Sequence, residues 1–130
     1  MRNMSFAMTT DAILEQRKTV TRRFGWRHLK PGELVQPVRK AMGLKKGEKV
    51  ERLGSPIRII STRREPLNAI TADDVVKEGF PGWMPAQFVD MLCHHYGCEP
   101  QAICTRIEFE YVGSSHYLEA DRDMEASGDA

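Results

Sequence analysis

No stretch of this chain is long and apolar enough to cross a bilayer, and its N-terminus has no apolar leader core. Neither a membrane anchor nor a secretory signal is expected. Cysteine is scarce: Cys93, Cys98 and Cys104 are an odd number without the spacing of a disulfide framework. Reduced thiols and a cytoplasmic location are therefore expected. Glycine-rich phosphate loops, a Ser-His-Asp order, EF-hand spacing and internal repeats are all absent. Net charge is nearly absent too, at +1. That balance conceals an asymmetry. Beyond Gly113 lie five acidic residues and one arginine, which leaves 18 basic and 13 acidic residues in 1–112. The body is basic and the tail acidic, a distribution that admits nucleic acid or nucleotide ligands.

What is present describes one domain. The 130 residues, 41% hydrophobic and 28% charged, suffice for one core and not two. Met4 to Met8 reads as a short buried strand, and Thr9-Thr10-Asp11 as a hydroxyl-capped helix start running to about Gln16. Val20 between two threonines reads as extended. Lys30-Pro31-Gly32-Glu33 is a turn. Leu34 to Arg39 reads as a strand whose Pro37 makes it an edge or bulged one. The lysine-rich segment 41–56 reads as an exposed hairpin or loop, and Ile57 to Arg64 as a strand. Thr71 opens a capped helix, and Pro85 fits the first turn of another that ends at Gly97. In the last strand Ile103, Thr105, Ile107, Phe109 and Tyr111 alternate with polar residues, which predicts one buried face. Residues 113–130 have little to bury and are expected to be a disordered acidic tail. The mixture predicts an α+β domain, a small curved sheet or partial barrel with helices at its side.

Two segments carry potential chemistry. Arg17-Lys18-Thr19-Val20-Thr21-Arg22-Arg23 places a lysine, two threonine hydroxyls and three arginines in seven residues. Lys77-Glu78-Gly79-Phe80 sets a carboxylate beside a glycine at a helix end. If the fold joins them, cations around Lys18 and partial burial would lower its pKa. A neutral Lys18 could then take the Thr21 proton, with Glu78 as proton shuttle. Lys18 and Thr21, three apart, converge only if the chain bends between them. The competing reading is a solvated basic strand edge and an ordinary helix glutamate. Charge runs are usually surface, so spacing alone favours that reading. Trp26 and Trp83, each beside a glycine, are open to core or base-stacking roles. Cys93-His94-His95-Tyr96-Gly97-Cys98 has metal-binding residue types. Adjacent histidines on a helix diverge, however, so a buried Cys93 with a histidine favourable at the helix C-terminus is the expectation and no metal is assigned.

The segment from Ala12 to Arg23, followed by Leu29-Lys30-Pro31-Gly32-Glu33, resembles the opening of an ASCH domain. There a short helix leads into a K-T-x-T-x-R type motif and a K-x-G-D-like turn. Ile70 to Phe80 is similar to that family's helix ending in an acid-glycine pair, and Ile103–Val112 to its closing strand. The resemblance covers about residues 4–112, and so implies an ASCH/PUA-like domain over 1–112. It implies a PUA-like small β-barrel with helices covering one side, and a cleft for RNA, a nucleoside or a modified nucleobase. Small bacterial members are amidohydrolases that deacetylate N(4)-acetylcytidine; others are described as ribonucleases or RNA binders. Carried over residue by residue, the resemblance implies Lys18, Thr21 and Glu78 as catalytic residues. Arg17, Thr19, Arg22, Arg23 and Trp26 would be the ligand-binding ones, and no cofactor or metal would be needed. Arg22-Arg23, the lysine-rich insertion, the segment around Trp83, the Cys-His helix and the tail depart from the minimal amidohydrolase. They resemble the larger members common in phages and prophages. Binding in a basic cleft is therefore the leading expectation, with deacylation of N(4)-acetylcytidine-type substrates and metal-independent RNA cleavage as alternatives.

Overall fold

A computed structural model describes residues 1–113. The acidic segment expected to be a disordered tail lies outside the described residues, apart from Gly113. Five strands form one mixed sheet: β1 (Arg2–Ser5), β2 (Val20–Arg23), β3 (Leu34–Val38), β4 (Ile57–Pro66) and β5 (Ile103–Tyr111). Their order is β1-β3-β4-β5-β2; β1 and β3 run parallel and the other neighbours antiparallel. The helices are α1 (Thr10–Leu14), α2 (Ala72–Lys77) and α3 (Pro85–Tyr96). The α+β reading holds. The sheet is not closed: β1 and β2 are its two edges, and no ladder joins them among the described residues.

Several local expectations shift. β1 ends at Ser5, and Ala7–Thr9 is a 3₁₀ turn, so the strand expected over Met4–Met8 is displaced toward the N-terminus. The Thr10 hydroxyl does not cap α1. It donates to the Phe6 carbonyl at 2.9 Å and ties the helix back to the strand. β3 is interior despite Pro37. Its ladder with β4 stops at Val35, so the proline's missing N–H costs nothing there. Thr71 caps α2 by accepting from the Asp74 amide at 3.2 Å, and Gly97 closes α3 with a positive φ of 66°.

The β4–β5 ladder spans both strands with a bulge between Ile59 and Ser61 that leaves Ile60 unpaired and exposed. Ile57, Ile59, Ile107 and Phe109 face one hydrocarbon core with Met4, Phe6, Val35 and Leu53. The reading of β5 as a strand with one buried face is corrected at its first half. Cys104 and Arg106, on the opposite face, are buried as well, because α2 and α3 pack there. Ile103, expected inside, is exposed.

Candidate functional site

The turn after α1 sets the site. Gln16 takes a positive φ of 58°, which reverses the chain and lets Arg17 and Lys18 donate their amides to the Ala12 carbonyl. This turn falls before Lys18 rather than between Lys18 and Thr21, and it brings the chain back along α1 into β2. Two further bonds fix it. The Tyr111 hydroxyl donates to the Lys18 carbonyl at 2.6 Å, and the Thr19 amide to the Lys77 carbonyl at 2.8 Å. The second stitches the end of α2 to the start of β2. Lys18 Nζ then reaches both the carbonyl (2.7 Å) and Oε1 (2.8 Å) of Glu78, the residue that closes α2. Gly79 follows with a φ of 100°; a Cβ there would sit 3.0 Å from the Ala12 Cβ. The acid-glycine pair therefore combines a charged cap with a turn tight enough to seat α2 against α1.

A buried charge layer surrounds this contact. Arg22 and Arg106 are register partners across β2 and β5. Asp74 and Glu78, one turn apart on α2, meet them. Arg106 donates to both Asp74 oxygens, at 2.7 and 3.0 Å. Arg22 donates to Asp74 at 2.6 Å, to Glu65 at 3.0 Å and to Glu78 at 3.1 Å. Hydrogen bonds from Arg106 and then Arg22 hold the Asp74 carboxyl well below the usual carboxylate range, against the effect of burial. Burial pushes Glu65 upward, but bonds from Arg63 and Arg22 outweigh it and the carboxyl is lowered. Among the described residues the single buried side-chain nitrogen or oxygen without a partner is Arg22 Nε.

The two edge strands border one cavity of about 180 Å³. Ser5 and Phe6, at the end of β1, and Thr21, Arg22 and Arg23, from β2, line it together. The cavity thus lies where the sheet fails to close. Phe80, Phe88 and Tyr96 add aromatic wall, and Lys18 and Glu78 complete a polar floor. Thr21 Oγ1 accepts from Arg23 Nε at 3.0 Å, and the Arg23 guanidinium lies 4.6 Å over the Phe6 ring. Burial lowers the Lys18 pKa, Glu78 opposes that, and Arg23 and Arg22 reinforce it. The expectation of a lowered lysine pKa holds, with burial rather than charge as the main cause. Arg17, the cation next to Lys18 in sequence, is exposed on Glu15 instead.

Lys18, Thr21 and Arg22 are 2%, 3% and 4% exposed, so the solvated-edge reading favoured by spacing fails. The structure brings Lys18, Thr21, Glu78, Arg22 and Arg23 to one cavity. Lys18 bonds directly to Glu78, whereas the Thr21 hydroxyl is engaged by Arg23. Arg17, Thr19 and Trp26 do not line this cavity. Trp26 packs against the hydrocarbon core with the Arg2 guanidinium 4.8 Å over its ring. Trp83 is the more open tryptophan and lies against Phe80. Sequence reasoning missed Asp74, Glu65 and Arg106. For Asp74 a signal existed, four residues before Glu78 on the same helix face. Cys93 and Cys98 approach to 3.7 Å between sulfurs, and no cluster of three metal-ligating side chains occurs among the described residues. No described helix is long and apolar enough to cross a membrane.

The fold, a mixed five-stranded sheet with helices packed on it, is shared with a solved ASCH-domain structure. The chain is similar in structure to the ASCH domain of Lactobacillus crispatus JV V101. The TM-score is 0.56 at 16% identity, over 85% of this chain and 78% of that one. Protein EF3133 of Enterococcus faecalis V583, of family DUF984, superposes with a TM-score of 0.55 at 16% identity, covering 85% and 75%. Hypothetical protein PH0355 gives 0.58 at 13% identity, covering 85% and 96%. No family model matches the sequence, and no curated protein matches it.

Proposed function

We propose that the cavity between β1 and β2 binds a nucleobase, presented as a nucleoside, a modified base or one residue of an RNA. One observation carries this reading: Phe6, Phe80, Phe88 and Tyr96 line the cavity together with the polar side chains of Lys18, Thr21, Glu78 and Arg22. A base has flat apolar faces and a polar edge. Aromatic rings take the faces, and carboxylate, hydroxyl and cationic donors take the edge. Glu78 retains lone pairs beyond its two cationic partners and could accept from an exocyclic amine. The three free thiols support placing this function in a reducing, cytoplasmic compartment.

A second reading rests on the sharing of that cavity by Lys18, Thr21 and Glu78. In amide hydrolysis the Thr21 oxygen would attack the acyl carbonyl as neutral Lys18 takes its proton. The amine would leave carrying a proton relayed through Glu78. Water would then cleave the threonyl ester, release the acid and restore the hydroxyl. The depressed Lys18 pKa supports the first step.

The test has two arms. Purified protein is titrated with a panel of nucleosides and short RNAs, and separately incubated with N(4)-acetylcytidine without added metal while acetate is followed. Binding that Lys18→Ala weakens about tenfold or more, without turnover, is the outcome of the leading reading. Acetate release supports the second reading if Lys18→Ala and Thr21→Ala each abolish most of it and the double variant is little worse than either. Neither binding nor turnover across the panel contradicts both.

A further inference from the structure

Arg22 and Arg23 are neighbours with opposite surroundings. Arg22 is matched by three carboxylates. Arg23 has no carboxylate within 4 Å among the described residues, although it lines the same cavity and is partly buried. Its position is nonetheless fixed. Nε is spent on Thr21, and the guanidinium plane rests on Phe6. The two terminal amines make no hydrogen bond among the described residues, yet they are not sealed from solvent. A guanidinium held by its Nε and one face presents its outer amines as a fork, the geometry that takes two oxygens of one anion.

The remaining charges of the cavity do not supply that anion. Glu78 is shared between Lys18 and Arg22, and His95 is the other titratable side chain near Tyr96. Arg23 is thus the lining cation that no carboxylate of the described residues pairs, next in sequence to Arg22, whose Nε also lacks a partner. An uncharged base would leave this cation unmatched. Resting on the nucleobase reading above, we propose that the ligand is a phosphorylated one, a nucleotide whose phosphate is seated on Arg23.

The phosphate could belong to a free mononucleotide or to an RNA strand, and the experiment separates the two. Each of the four ribonucleosides and N(4)-acetylcytidine is titrated calorimetrically alongside its 5′-monophosphate, with a short single-stranded oligoribonucleotide in parallel. The proposal expects at least one monophosphate to bind about tenfold or more tightly than its nucleoside, from the bidentate charge-assisted pair. In Arg23→Gln that ratio should fall to near one, and in Arg23→Lys it should be intermediate; circular dichroism and melting check that both variants are folded. A free nucleotide source predicts that the oligonucleotide binds no tighter than its best monophosphate, and an RNA source that it does. A nucleoside that binds as well as its monophosphate overturns the phosphate proposal and leaves the nucleobase reading standing. Absence of binding by nucleoside, monophosphate and RNA alike overturns both. A monophosphate preference that survives Arg23→Gln places the phosphate elsewhere and overturns the assignment to Arg23.

Discussion

The two faces of β5 are buried in different ways. On one, Ile107 and Phe109 enter a hydrocarbon core with Met4, Phe6, Ile57 and Ile59. On the other, Arg106 joins a layer in which Arg22, Asp74, Glu65, Glu78 and Lys18 are paired away from water. Apolar packing is non-directional and tolerates small changes of shape. A buried charge layer is directional, since each ion needs its partner in place. The hydrocarbon face accounts for most of the driving force of folding. The charged face sets the register of α2, and with it the position of Glu78 against Lys18.

That contrast is most sharply tested by unequal responses to small substitutions. Asp74→Ala takes the close partner of Arg106 and one of the three carboxylates of Arg22, and should cost about 3–5 kcal/mol. Ile107→Val removes one methyl from the opposite face and should cost about 0.5–1.5 kcal/mol. Urea unfolding of both variants checks the difference. Equal losses would mean that α2 is not held by its charges.

A weaker effect should appear with pH. Asp74 and Glu65 have depressed pKa values in the folded chain, so the unfolded chain takes up their protons first as pH falls. Their contribution is fully present above the unfolded carboxylate range, near pH 4 to 5. It should be lost progressively as pH drops through and below that range. Unfolding midpoints at pH 7, 5, 4 and 3 measure this. Asp74→Asn, though less stable at pH 7, should show a shallower acid slope, because one linked proton is gone. An unchanged slope would assign the acid sensitivity to other carboxylates.

The same contrast explains what the sequence made legible. Alternation along Ile103–Tyr111 and the Thr71, Pro85 and Gly97 boundary signals announced a strand and two helices, because each is a local pattern. The motif resemblance pointed to Lys18, Thr21 and Glu78, whereas spacing alone favoured a solvated run. The failure has a physical origin. A basic run on an edge strand looks solvated until a helix from more than fifty residues away covers it, and no local pattern records that contact. Asp74 and Arg106 were hidden in the same way: one resembled a first-turn acid, the other a polar residue on an outward face. Trp26 was open to two roles in the sequence. Its sequence neighbours Arg22, Arg23 and Arg27 suggested a base-stacking role, whereas the ring packs against the hydrocarbon core beneath Arg2, which comes from β1.

The central claim is that the seam between β1 and β2, rather than the basic surface as a whole, receives the ligand. Amide and methyl NMR shifts recorded while a nucleoside or its monophosphate is titrated test it most directly. The account predicts saturable changes concentrated at Thr21, Arg23, Phe80, Met91 and Tyr96, with Arg17 and Trp26 little affected. Changes centred on Arg17, Trp26 and the lysine-rich segment 40–56, with the cavity residues silent, would contradict it.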